Sequence, residues 1–155
     1  MITNQVVETW EIHNRINLYI LDAIATESLA DVSPAKGRTV GELFAHLYNV
    51  RLMWLKAAAP GLLKNLKKIE KTETRKKDLL RKALVESGRA IGNLLNNSLE
   101  ADGRVKGFKP HAAAFAGYMI SHESHHRGQI VLLLKQSGHR LDNKILYGMW
   151  EWGVR

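Results

Sequence analysis

Cysteine is absent from the 155 residues. Disulfides, thiolate metal ligands and a cysteine nucleophile are thereby excluded together, and any soft-donor chemistry falls to histidine. No apolar run approaches the roughly 18 residues that a bilayer span requires. The first ten residues also lack the basic start and apolar stretch of a secretory leader. The expectation is a soluble, cytoplasmic protein. Strict two-residue alternation, the mark of a half-buried strand, is missing, as are internal repeats and low-complexity linkers. What is present is ordinary for a globular chain: 45% hydrophobic and 25% charged residues, enough apolar side chain to bury a core. A chain of this length is expected to form one domain over residues 1–155.

The formal net charge is +8, which raises nucleic acid or another anion as a partner. Most of the excess is local. Between Lys64 and Lys82 stand nine basic residues (Lys64, Lys67, Lys68, Lys71, Arg75, Lys76, Lys77, Arg81 and Lys82) against three acids, Glu70, Glu73 and Asp78. No aromatic residue is interleaved there to stack a base. The segment therefore reads first as a solvated, lysine-rich connection and helix start, with nucleic-acid binding ranked below it.

Helical periodicity runs throughout. From Asn4 to Ala30 the residues Val6, Trp10, His13, Ile16, Ile20 and Ile24 follow the spacing of one helix face. Ser33-Pro34 and Gly37 mark a turn. Thr39 followed by Glu42 is a capping box that opens a second helix, with Leu43, His46, Leu47, Val50, Met53 and Trp54 on one face, and Pro60-Gly61 stops it. A third helix is expected from Thr72 or Thr74 to Glu100, weakened slightly by Gly88 and Gly92. After a loop over 101–109, a fourth helix with Pro110 in its first turn runs to Ser137, and Gly138 is placed as its C-terminal cap. The tail over 142–152 is expected to form a last short helix anchored by Tyr147, Met149, Trp150 and Trp152. These elements predict an all-α fold, a four-helix bundle with a short C-terminal helical tail.

Seven histidines are present, and His111, His122, His125 and His126 fall in the fourth helix. His122 and His126 are four apart, one turn above each other, close enough for two imidazoles to ligate one ion. The same stripe carries Phe115, Met119, Ile130 and Leu133, so the pair points inward. His46 interrupts the apolar stripe of the second helix in the same way. Burying several imidazoles without partners costs about 1 to 3 kcal/mol each, and one shared cation would satisfy all three. Three protein ligands also leave a coordination position open, as in reactive metal sites. The bland alternative is that His46 is a lone core histidine bonded to backbone, and that His122 and His126 lie on a polar face.

Two sharper motifs fit less well. Residues 122–126 match H-E-x-x-H, the metalloprotease helix in which Glu123 would be the general base. Its extended form needs glycine at 129 and histidine at 132, where this chain has Gln129 and Leu132. A di-iron carboxylate bundle needs two Glu-x-x-His pairs, and only Glu123 with His126 qualifies.

The run from His122 through Glu123, Ser124, His125, His126, Arg127, Gly128 and Gln129 to Ile130 resembles the late-helix signature of the DinB-like (DinB/YfiT) family of metal-binding four-helix proteins. Trp10 with Asn14-Arg15 resembles the family's first helix, Gly41-Glu42-Leu43 leading to His46-Leu47 its second, and Tyr147-Gly148 with Trp150 its closing segment. The resemblance implies that His46, His122 and His126 hold one divalent ion, commonly zinc or nickel, and that the protein is a homodimer. His125 matches no ligand position and is expected to be exposed. Relatives include thiol-dependent transferases and isomerases and proteins described as metal-dependent hydrolases, so the implied function is a metal site that activates water or a small thiol, with a low-molecular-weight thiol as a candidate cosubstrate. Glu123 is the nearest candidate base by sequence, with a side chain that could face solvent. Arg127 and Gln129 could orient a ligand histidine, bind substrate or make structural contacts; Gly128 is expected to allow close helix approach; His13 is expected to be a satisfied core histidine. The competing class is a non-catalytic protein, either a metal-stabilised dimeric module or a basic binder of anions or nucleic acid.

Overall fold

In a computed structural model that describes residues 2–155, four long helices carry the chain: α1 (Ile2–Ala23), α2 (Val40–Ala58), α3 (Lys77–Glu100) and α4 (Ala112–Gln136). A short α5 (Asn143–Gly148) follows, and no strand occurs among the described residues. The fold is all-α, a bundle with a short helical tail, and α1 packs most extensively on α3.

The core falls into two apolar clusters. One gathers Ile20, Phe44, Leu47, Leu84, Ile130 and Leu134; the other gathers Trp10, Leu55, Ile91, Leu95, Phe115 and Met119. Along every helix the residues that separate them are polar and buried: His13, Asn14 and Asn17 on α1, Arg51 on α2, Ser87 on α3 and Glu123 on α4. A polar layer thus crosses the bundle between two greasy halves, at a level each helix reaches from its own direction.

Several boundaries differ from the periodicity's forecast. The first helix stops at Ala23, and Thr26–Ala30 forms a separate 3-10 turn. The cause is remote: the Lys77 ammonium donates to the Asp22 carbonyl at 3.1 Å and to that of Ile24, satisfying carbonyls that would otherwise continue the helix. The third helix starts at Lys77 instead of Thr72 or Thr74, because Lys71–Glu73 turns as 3-10 helix, with Glu70 and Glu73 closing a small capping box of their own. Pro110 lies outside α4, whose N-cap is His111; its Nδ1 accepts from the Ala114 amide at 3.1 Å.

Other features match. The Thr39 hydroxyl accepts from the Glu42 amide at 3.1 Å and the Glu42 carboxylate accepts from the Thr39 amide at 2.7 Å. Gly138, at φ 80°, ends α4: its amide reaches the Lys135 carbonyl while that of His139 reaches Leu134, the Schellman arrangement. Of the residues expected to anchor the tail, Met149 packs beside the core, but two of the aromatics stay outside it. Tyr147 and Trp150 are 71% and 74% exposed, and the tail's hold comes from Leu141 and Gly148, with Ile145, Leu146 and Met149 packing beside the core. On α2 the deep face runs through Phe44, Leu47, Tyr48, Arg51 and Leu55, and Met53 is exposed.

Candidate metal centre

His46 on α2 meets His122 and His126 on α4. Their ring centroids lie 5.3 and 4.6 Å from that of His46 and 4.7 Å from each other. One ligand nitrogen from each ring lies within 4.8 Å of the others. The Nε2 atoms of His122 and His126 approach to 3.2 Å.

The orientation of His126 is fixed from behind, since Gln129 Oε1 lies 2.7 Å from its Nδ1. A proton on Nδ1 directed at that oxygen leaves the Nε2 lone pair facing the cluster, the arrangement found around ligand histidines. His122 Nδ1 is buried with no hydrogen-bond partner. Burial is the first cause that keeps both remaining rings neutral. It depresses the His46 pKa to about 4, helped by the Arg38 charge and then by the two neighbouring imidazoles. His122 is lowered by burial and then by His126, against a smaller opposing pull from Glu123. Near neutral pH these rings are lone-pair donors, the form a cation needs. Beyond the cluster stands an aromatic wall: Tyr118 stacks on His122 with centroids 6.4 Å apart, and Trp54 and Phe108 pack edge-on against each other beside it.

Glu123 faces elsewhere. Its carboxylate is fully buried and does not reach solvent, contrary to the orientation its sequence position left open. Arg51 clamps both oxygens, Nε to Oε1 at 2.7 Å and Nη2 to Oε2 at 2.8 Å, and Oε2 also meets His13 Nε2 at 2.9 Å and Asn17 Nδ2 at 2.8 Å. Burial by itself would raise its pKa, but the Arg51 guanidinium and the His13 contact outweigh it and hold the carboxyl well below the ordinary carboxylate range. A carboxylate so encumbered is a poor proton acceptor.

The same network accounts for other residues. Arg51 donates through Nη1 to the Leu84 carbonyl and to Ser87 Oγ, both at 3.0 Å, and through Nη2 to Asn14 Oδ1 at 2.8 Å, so one guanidinium ties together all four long helices. Arg127 donates to Asn17 Oδ1 at 2.7 Å, a structural contact between α4 and α1. His13 is a satisfied core histidine, its pKa lowered by burial despite Glu123. His125 is exposed, and His139 pairs with Asp31 at 2.7 Å. Gly128 faces open space, so it permits no close helix approach. Periodicity had missed Arg51 altogether; the available signal was an arginine spaced four from both Leu47 and Leu55 on the buried stripe.

The basic connection runs past this site. Asn49 holds it down, donating to the Ile69 carbonyl at 3.1 Å and accepting from the Ile69 amide at 3.0 Å. Lys68 and Lys71 thereby line a cavity of about 490 Å³ that also contains His46 and Arg38.

The fold and the cluster define the class first: an all-helical bundle that gathers three imidazoles from two of its helices. The chain belongs to the DinB family, whose model matches residues 1–150. No curated protein and no solved structure shows a significant match to it.

Proposed function

We propose that this chain is a metal-dependent enzyme in which His46, His122 and His126 hold one divalent ion, zinc or nickel as the family resemblance implies, to activate water or a small thiol for hydrolysis or thiol S-transfer. The observation that carries the reading is the 3.2 Å approach of two Nε2 atoms with Gln129 behind one of them. Ligand nitrogens about 3.3 Å apart are what a tetrahedral zinc with ~2.0 to 2.1 Å bonds requires. A plain imidazole–imidazole hydrogen bond would satisfy that pair but would leave His46 unexplained.

A divalent ion held there supplies Lewis-acid chemistry, lowering the pKa of water or of a thiol toward neutrality. The chain's own part is to present three imidazole nitrogens, to orient His126 through Gln129, and to keep Glu123 out of the reaction by pairing it with Arg51. Family membership supports the same reading. We also propose a homodimer, supported by the exposed aromatic tail.

Elemental analysis of untagged protein tests the site. One ion per chain is expected, falling to well under a tenth in His122→Ala and His126→Ala. Metal content that stays low in the parent chain, or is unchanged by these substitutions, would overturn the reading. A hydrolysis and thiol-transfer screen with metal-loaded protein, with His46→Ala as control, then separates the two chemistries.

A further inference from the structure

Three imidazole ligands bring no negative charge to a cation. Among the described residues no carboxylate joins the cluster, and Glu123, the acid next to His122 in the chain, is committed to Arg51. A divalent ion there would keep its whole charge, and Arg38 adds more of the same sign. Arg38 is exposed, on the loop that precedes α2, and among the described residues it pairs with no acid. It is also one of two residues, with Gly37, shared by two adjoining cavities. One is the cavity of about 490 Å³ at His46; the other, of about 330 Å³, reaches Gln129, the residue that orients His126. A guanidinium without an acid partner at the junction of both approaches to a cationic site is placed to meet an arriving anion.

We infer that Arg38 is a substrate-positioning residue that receives the carboxylate of a small, singly charged substrate or cosubstrate whose reacting end lies at the three histidines. The guanidinium fork matches a carboxylate through two parallel hydrogen bonds. One negative charge suits the site better than two. Lys71 and Lys68 in the same cavity are already opposed by Glu42 and Glu70 at 3.3 and 3.7 Å, so among the described residues Arg38 is the cation of that cavity with no acid beside it, and the two acids would repel a doubly charged phosphate. This inference rests on the metal reading above and adds the class of molecule the site selects.

The test uses the full chain loaded with cobalt(II), whose absorption reports thiolate binding directly and needs no turnover. Mercaptopropionate and the neutral mercaptopropanol are titrated in parallel. The acid should half-saturate the protein at a concentration about tenfold lower, as expected for one charge-assisted contact, and the gap should narrow as salt is raised. Arg38→Gln should bring the two thiols together, and Arg38→Lys should keep part of the preference. Arg38 makes no contact that folding needs, so Arg38→Gln should unfold at the parent temperature. Equal affinities in the parent chain, or a preference that survives Arg38→Gln, overturns the inference while leaving the metal reading intact. Failure to take up cobalt(II), or uptake indifferent to His122→Ala, overturns both.

Discussion

Glu123 and His122 are neighbours in the chain with opposite assignments, one built into the core and the other into the candidate site. A helix turns about 100° per residue, so adjacent side chains serve different faces. The Arg51 and Glu123 side chains are both fully buried, and such pairs cost most when halved. Arg51→Met leaves an uncompensated buried carboxylate, and the expected loss is about 3 to 5 kcal/mol by chemical denaturation. Arg51→Met combined with Glu123→Leu should recover a large share of that loss. If the double variant were as unstable as the sum of the singles, the two residues would not be acting as a pair. The histidines at 46, 122 and 126 were legible in the sequence because each interrupts an apolar stripe with a polar ring. Arg51 interrupts one too, but its partner is 72 residues away, and a periodicity carries no information about partners. The orientation of Glu123 stayed open in the sequence for the same reason.

At the scale of the element, two glycines that look alike in sequence separate in the bundle. A β-carbon at Gly88 would lie 2.2 Å from Asn14 Nδ2, and the Gly88 carbonyl accepts from Trp10 Nε1 at 2.8 Å; close contact of α1 with α3 needs a bare backbone there. Gly128 sits mid-helix with nothing within 4 Å of the same position. Gly88→Ala should therefore destabilise the fold, whereas Gly128→Ala should raise stability by up to about 1 kcal/mol through helix propensity alone. Thermal melts of the two variants decide it, and a destabilised Gly128→Ala would mean that the site near 128 holds something the chain alone does not reveal. The α2 capping box carries a prediction of its own. Thr39→Ala should cost about 1 kcal/mol. The backbone hydrogen bond from Thr39 holds the Glu42 carboxyl below its ordinary value, against a smaller effect of burial. A depressed carboxyl adds stability above its unfolded pKa and loses it as pH falls through the folded one, so acidification should erode this contribution, and Glu42→Ala should show a flatter acid limb in urea titrations. The start of α2 was readable because its signals are local. The stop of α1 was not, because the group that satisfies its last carbonyls is Lys77, more than fifty residues on.

At the scale of the whole molecule, no helix among the described residues is long and apolar enough to cross a membrane, yet large apolar side chains remain outside the core in one stretch: Tyr147, Trp150, Trp152 and Val154. Of the expected anchors of the tail only Met149 turns to the core among these residues, and the reason is geometric. Met149 packs beside the core while Trp150 and Trp152 line an open cleft of about 440 Å³ with Gly128 and Val131 of α4. Exposed aromatic side chains beside an open cleft are poorly tolerated by a chain that stays alone in water. A second copy is the proposed occupant, because a twofold pairing lets each tail fill the other's cleft with the same residues. Sedimentation of the parent chain should give twice the 17.5 kDa chain mass, and Trp150→Ser should shift the equilibrium toward monomer by tenfold or more, on the scale at which a buried interface tryptophan contributes about 2 kcal/mol or above. A parent chain that sediments as a monomer at every concentration would remove the dimer. A dimer indifferent to Trp150→Ser would move its interface elsewhere and leave the tail's aromatics to another partner. Since α4 carries Gly128 on the cleft side and His122 and His126 toward the cluster, loosening the pairing should not release metal, and the two equilibria should titrate independently.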